Sequence, residues 1–209
     1  FPTIALCCNI IVVSGNCFNY LRTGNYNLKL VIPFLIGSVP FAFIGGSLQI
    51  EKEIFEILLF FVLLFAGFLL MFNFKSYEDS KNDYNKISFS FSLLIGSVLG
   101  FISGIVGIGG GIFLSPILFL LKAAKPREIV SLASIFILIN SVAGIFGQIS
   151  KQYVFNQLLD YWYLLFVVLI GGQIGNFLNL KILPTKILAL ITSGLVLFVS
   201  IRMGVKLFF

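Results

Sequence analysis

Residues 104–116 read GIVGIGGGIFLSP: five glycines fall within eight positions, Gly104 to Gly111, and a proline follows at Pro116. Apolar sequence flanks the stretch on both sides. Glycine costs about 1 kcal/mol against alanine inside a helix, so a cluster of them in a hydrophobic segment needs a reason. It is a phosphate loop, a helix-packing face, or a break that turns backbone toward a ligand.

The composition sets the medium. Of 209 residues 59% are hydrophobic and 11% charged, and the mean hydropathy is +1.08. A soluble domain carries about a quarter charged residues, so the chain reads as an integral, all-α membrane protein. The net charge of +6 needs no nucleic acid to explain it, because basic residues at membrane edges suffice. Histidine is absent, and Cys7, Cys8 and Cys17 lack C-x-x-C spacing, which removes the usual parts of metal sites and thiol–histidine catalysis. The cysteines read as small apolar residues of a buried helix, and no cofactor is expected. The chain opens FPTIALCC, without the basic region and cleavage site of a secretory signal, and Leu6 is too large for a lipoprotein box. The expectation is a chain whose first element is missing.

About 20 apolar residues cross a bilayer as a helix. Spans are expected near 3–21, 30–49, 54–73, 128–149, 159–180 and 185–205, within one transmembrane domain covering 1–209. The charge-rich stretch 74–87, FKSYEDSKNDYNKI, reads as a polar linker between two halves, 1–73 and 88–209. The halves resemble each other: VIPFLIGSVPFAFIGG (31–46) parallels FVVLIGGQIGNFLNL (166–180), sharing Leu-Ile-Gly. Each of these is preceded by a span with an asparagine and a glycine, Asn9 and Gly15 or Asn140 and Gly144, and followed by a last apolar helix. A duplicated unit whose first repeat lacks its opening element accounts for this, and duplication is common in transporters.

Residues 88–121 hold 34 positions without a charge. As one helix they would be about 51 Å long against a hydrocarbon core of about 30 Å, so they must kink or fold back. If they cross once, the 14 basic residues divide 8 to 6 between the two sides. If they fold back, Arg22, Lys29, Lys75, Lys81, Lys86, Lys122, Lys125, Arg127, Lys181 and Lys186 share one side and the division becomes 10 to 4. The second fits the positive-inside rule better. A glycine-broken hairpin is therefore expected, and an odd number of passages per half makes the repeats inverted.

Both nucleotide readings of the glycines fail: no Lys follows them as a Walker loop needs, and Ile112 stands where a dinucleotide loop needs its third glycine. Gly96, Gly100 and Gly104 form a tandem G-x-x-x-G, a face that lets a neighbouring helix approach closely. Gly107, Gly109, Gly110 and Gly111 differ, since three consecutive glycines cover every face of a helix. They suit an unwound turn inside the membrane, tolerable where it is buried or lines a cavity. The segment IFLSPILFLL can restart as a helix with its amide end aimed at the break, an anion site made of backbone. Ser115 lies just beyond as a further donor, and Pro116 as a ladder-breaker. A structural hairpin tip is the plain alternative.

Glu51, Glu53, Glu56, Glu78, Asp79, Asp83, Glu128 and Asp160 all fall in loops or at helix ends. No ionisable group marks a proton relay in mid-span. The polar candidates there are Asn9, Ser134, Asn140 and Gln148, each of which could equally make an interhelical hydrogen bond.

GIVGIGGGIFLSPIL followed by REIVSLASIFILINSVAGIFGQ resembles the TauE/SafE family of sulfite and organosulfonate permeases. That family is similar in having two related halves, each opening with G-x-G-G-G-x-x-x-x-P, here Gly107, Gly109, Gly110, Gly111 and Pro116. Ala133, Ser134, Asn140 and Gly144 follow in the next helix, and Asn9 takes the polar position of the first half. The resemblance implies a multi-pass permease of a bacterial inner membrane that moves sulfite, sulfoacetate or another sulfur-containing anion. Together with the residues it suggests a small oxyanion near the midplane, held by amides at Gly109, Gly110 and Gly111 and by Ser134 and Asn140, with the repeats rocking around it. The implied partners are the lipid bilayer, the anion and a coupling ion, H+ or Na+, and the oligomeric state stays open. Rival readings are a carrier of a cation or neutral solute, a structural membrane subunit, and an enzyme. The last lacks histidine and clustered mid-membrane acids.

Overall fold

In hydrocarbon a backbone has no water to bond, so each apolar segment must close its hydrogen bonds on itself. The computed structural model describes residues 2–22, 27–72, 84–149, 161–181 and 185–208, and among them eight helices and no strand. They are α1 (Pro2–Arg22), α2 (Leu28–Ser47), α3 (Lys52–Phe72), α4 (Phe89–Val106), α5 (Gly111–Leu120), α6 (Pro126–Ile149), α7 (Trp162–Lys181) and α8 (Thr185–Phe208). The all-α membrane fold is as expected, and each of the six expected spans coincides with a helix. By length and apolarity α2, α3, α4, α6 and α8 can each cross a bilayer, while α1 and α7 carry the shorter stretches Pro2–Phe18 and Trp162–Gly175. Phe61, Phe65, Phe166 and Phe198 point outward and are mostly exposed, as suits side chains that meet lipid.

Residues 88–121 fold back. After α4 the backbone turns through left-handed residues, Gly107 at φ 80° and Gly110 at φ 73°, and α5 begins at Gly111. Asn85 closes the open end: its backbone N–H donates to the Lys122 carbonyl at 3.0 Å, and its Nδ2 to the Leu121 carbonyl at 3.1 Å. The chain thus enters and leaves this hairpin at one end. The arms are unequal, 18 residues against 10, or about 27 Å against 15 Å at the helical rise.

The tandem glycines pack α4 onto α2. A Cβ at Gly96, Gly100 or Gly104 would strike the carbonyl oxygen of Phe34, Ser38 or Ala42, and one at Gly37 or Gly45 that of Leu93 or Phe101. The matching register, four residues per step on both helices, shows that they run parallel with backbones in contact. Lipid offers helices little hydrophobic reason to associate, so close packing of this kind is what holds them. α6 joins the far end, where Gly46 meets Gly144 and Gly147 meets the Phe43 carbonyl. Phe34, Leu114, Leu118, Leu132 and Phe136 fill the space between these helices and α5.

α3 and α8 pair antiparallel: Gly67 lies on Leu197, Gly204 on Phe60, and the Ser200 hydroxyl donates to the Phe60 carbonyl at 3.2 Å. α1 lies along α6 and α7. Lys29, Lys86, Lys122 and Lys125 are exposed around the hairpin's open end. At the opposite end Lys52 and Lys206 each approach Glu56 at 3.9 Å. Most of the 74–87 linker, with Lys75 and Lys81, lies outside the described residues.

Candidate functional site

The break between α4 and α5 lies at the level of the middle of α6. Gly109 adjoins Ile137 and Ser141, Gly110 adjoins Phe136, and Gly111 adjoins Ile137 and Ala133. The glycines have two separate causes. Gly107, Gly109 and Gly110 take φ of 80°, 78° and 73°, a region costly for a residue with Cβ. Gly111 is helical, and there it is the Ile137 side chain that leaves no room for a Cβ.

Two helix ends meet at this break, and each leaves backbone groups without helical partners. At the end of α4 the protein supplies donors: Gln148 Nε2 reaches the Gly104 carbonyl at 3.4 Å, and Asn9 Nδ2 the Gly107 carbonyl at 3.3 Å. At the start of α5, Phe113 and Leu114 both donate to the Gly110 carbonyl at 3.2 Å. The amides of Gly111 and Ile112 are those the helix leaves free, at the positive end of its dipole.

Two serines adjoin the glycines of the break. Ser141 Oγ lies 3.1 Å from where a Cβ of Gly109 would be, and Ser103 Cβ 3.4 Å from that of Gly110. Their residues are 0% and 2% exposed, and neither hydroxyl has a hydrogen-bond partner. A buried polar atom without a partner is rare enough to need an explanation.

Of the residues singled out from sequence, Gly107, Gly109, Gly110 and Gly111 form the break and are buried, and Asn9 reaches it from α1. Ser115 is half-buried further along α5. The Ser134 hydroxyl bonds the Val130 carbonyl at 3.0 Å, and Asn140 Nδ2 the Phe136 carbonyl at 2.9 Å, both within α6. Asn140 Oδ1 is left buried without a partner. Gln148 acts on the α4 end. Ser103 and Ser141 were not singled out. The one signal for Ser141 is its position two helical turns after Ser134 on the same face of α6, and serine in a membrane helix is too common to stand out.

Among the described residues, the nearest neighbours of Gly107, Gly109, Gly110 and Gly111 include no charged side chain. Among the described residues no three of His, Cys, Asp and Glu group closely enough to hold a metal ion.

Residues 2–203 match the family described as sulfite exporter TauE/SafE. A probable membrane transporter protein of Sinorhizobium fredii is 24% identical over 212 residues, covering 97% of this chain and 81% of the relative. Similarly named proteins of Bacillus subtilis and Methanocaldococcus jannaschii are 24% and 26% identical, over 91% and 84% of this chain and 76% and 68% of the relatives. No solved structure matches the chain. A match over nearly the whole length, on a bundle of apolar helices, makes this chain a member of the sulfite exporter TauE/SafE family of multi-pass membrane transporters.

Proposed function

We propose that the chain carries a small anion through the membrane and that the anion rests at the glycine break. The observation that carries this reading is the pair of buried, unpartnered hydroxyls, Ser103 and Ser141, on residues that adjoin Gly110 and Gly109 just before α5 begins. Amides and hydroxyls at the positive end of a helix suit an oxyanion, which brings several acceptors and no donor of its own. Sulfite and short organosulfonates are the first anions to consider, since relatives are grouped as sulfite exporters.

In this reading the roles divide by chemistry. Gly109, Gly110 and Gly111 let the backbone come close, Gly111 and Ile112 donate their amides, and Ser103 and Ser141 donate hydroxyls. Asn9 and Gln148 hold the end of α4, Gly107 turns the chain, and Asn140 and Ser115 stand as outer polar groups. Ser134 serves its own helix. The carrier works in the inner membrane of a bacterium, and a proton or sodium gradient is the natural coupling. Because α2 and α4 interlock backbone to backbone, they move as one body when the site changes sides.

Equilibrium binding tests this directly. Purified protein in nanodiscs is titrated with sulfite and with a short sulfonate, beside Ser141→Ala and Ser134→Ala. A hydrogen bond to a charged group contributes about 1.5–3 kcal/mol, so Ser141→Ala is expected to weaken binding roughly 10- to 100-fold. Ser134→Ala is expected to bind like the parent. Equal affinities for all three proteins contradict the placement of the site.

A further inference from the structure

The glycine break sets two opposite helix ends side by side: α5 begins there with its positive end, and α4 ends there with its negative one. An anion uses the positive end alone. One atom is then left over, Asn140 Oδ1, which has no hydrogen-bond partner on a residue that is fully buried. Nδ2 of the same amide holds the Phe136 carbonyl at 2.9 Å, and that bond fixes the oxygen as the unsatisfied atom.

Asn140 faces the end of α4. One turn before it on α6, Phe136 shares with Ser103 the space beside Gly110; one turn after it, a Cβ at Gly144 would lie 3.8 Å from Gly104 Cα. Residues four apart share a helix face, so Asn140 stands between these two contacts, beside the last turn of α4. Ser103 Oγ belongs to that turn and is also buried without a partner. The amides that reach this end from elsewhere, Asn9 and Gln148, turn their nitrogens to the Gly107 and Gly104 carbonyls. The carbonyls of Ile105 and Val106, the last two residues of α4, lie beyond the helical ladder.

An amide oxygen only accepts, so an oxyanion, itself a set of acceptors, does nothing for Asn140 Oδ1. Nor is the anion's own charge balanced, since among the described residues the nearest neighbours of the break's glycines include no charged side chain. An unpaired charge inside a membrane is costly. A cation answers both needs. The oxygens on offer are neutral, which suits a monovalent ion better than a divalent one that draws carboxylates. A proton has no titratable side chain among those neighbours to ride on.

We propose that a sodium ion binds at the end of α4, on Asn140 Oδ1, Ser103 Oγ and the last-turn carbonyls, next to the anion at the start of α5. The Ser103 hydroxyl serves both ions, its hydrogen directed to the anion and its lone pairs to sodium. The two ions cross together, with less net charge than the anion alone. The inference rests on the anion reading of the break and names the ion that accompanies it.

The test begins with labelled sodium and no oxyanion, on purified protein in nanodiscs with N-methylglucamine chloride holding the ionic strength constant. The expected result is saturable binding that Asn140→Ala abolishes, Ser103→Ala weakens at least several-fold and Ser134→Ala leaves intact. Sulfite is then titrated in sodium and in N-methylglucamine; the parent is expected to bind it roughly tenfold tighter in sodium, and Asn140→Ala equally in both. No saturable sodium binding by the well-folded parent overturns the proposal. So does a sodium effect that survives whole in a folded Asn140→Ala, or, where that variant does not fold, in Ser103→Ala. The anion reading fails separately: sodium binding that Asn140→Ala removes, with no sulfite binding in either salt, keeps the cation site and strikes the anion.

Discussion

At the residue scale, adjacent glycines do different work, and paired substitutions separate the causes. Gly110→Ala puts a Cβ on left-handed backbone, at a cost of about 1–2 kcal/mol, and enlarging the space with Phe136→Leu is expected not to restore stability. Gly111→Ala meets the Ile137 side chain, an overpacking of about 1–3 kcal/mol, and Ile137→Ala is expected to restore part of it. Thermal midpoints of the single and double variants check both outcomes. The sequence already marked these glycines as unlike Gly96, Gly100 and Gly104, because three in a row exceed what one packing face needs. It could not assign the polar residues around them. Asn140 and Ser134 look as suited to a site as Ser141 and Ser103 do, and only the fold shows which hydroxyls lack partners. Asn9 is 98 residues from the carbonyl it holds, a pairing that no local pattern encodes.

At the element scale, the hairpin was legible because length and charge constrain it together. A run of 34 uncharged residues is too long to cross once as a straight helix, and the basic residues sort unevenly only if it returns. Its unequal arms and the clasp from Asn85 were not legible, since one asparagine in a polar stretch resembles any other. The return makes a topological prediction. Single cysteines replacing Lys86 and Lys122 are expected to react with an impermeant reagent from one side of the membrane, and one replacing Lys52 from the other. Labelling of Lys86→Cys and Lys122→Cys from opposite sides contradicts the hairpin. The α2–α4 contact was half legible: the G-x-x-x-G face announces a close neighbour, while the identity of that neighbour is a tertiary fact.

At the scale of the whole molecule, the division of the sequence into 1–73 and 88–209 does not describe what packs with what. Helices from the first stretch lie on helices from the second throughout: α2 on α4 and α6, α1 on α6 and α7, α3 on α8. A carrier built this way cannot separate along the linker without breaking the glycine contacts between α2 and α4. Gly100→Leu, which drives a side chain into the Ser38 carbonyl, is expected to abolish folding rather than to impair transport alone. Loss of transport with full yield and stability contradicts that.

The central claim is that a small anion crosses by way of the glycine break. The most direct measurement is uptake of labelled sulfite, and of a short organosulfonate, into proteoliposomes holding the complete gene product. It is run with and without proton and sodium gradients, beside Ser141→Ala at matched folding and density. The account predicts saturable flux whose KM rises at least several-fold in Ser141→Ala while the thermal midpoint stays put. Saturable flux that Ser141→Ala leaves unchanged, or no anion flux from well-folded protein under either gradient, contradicts it.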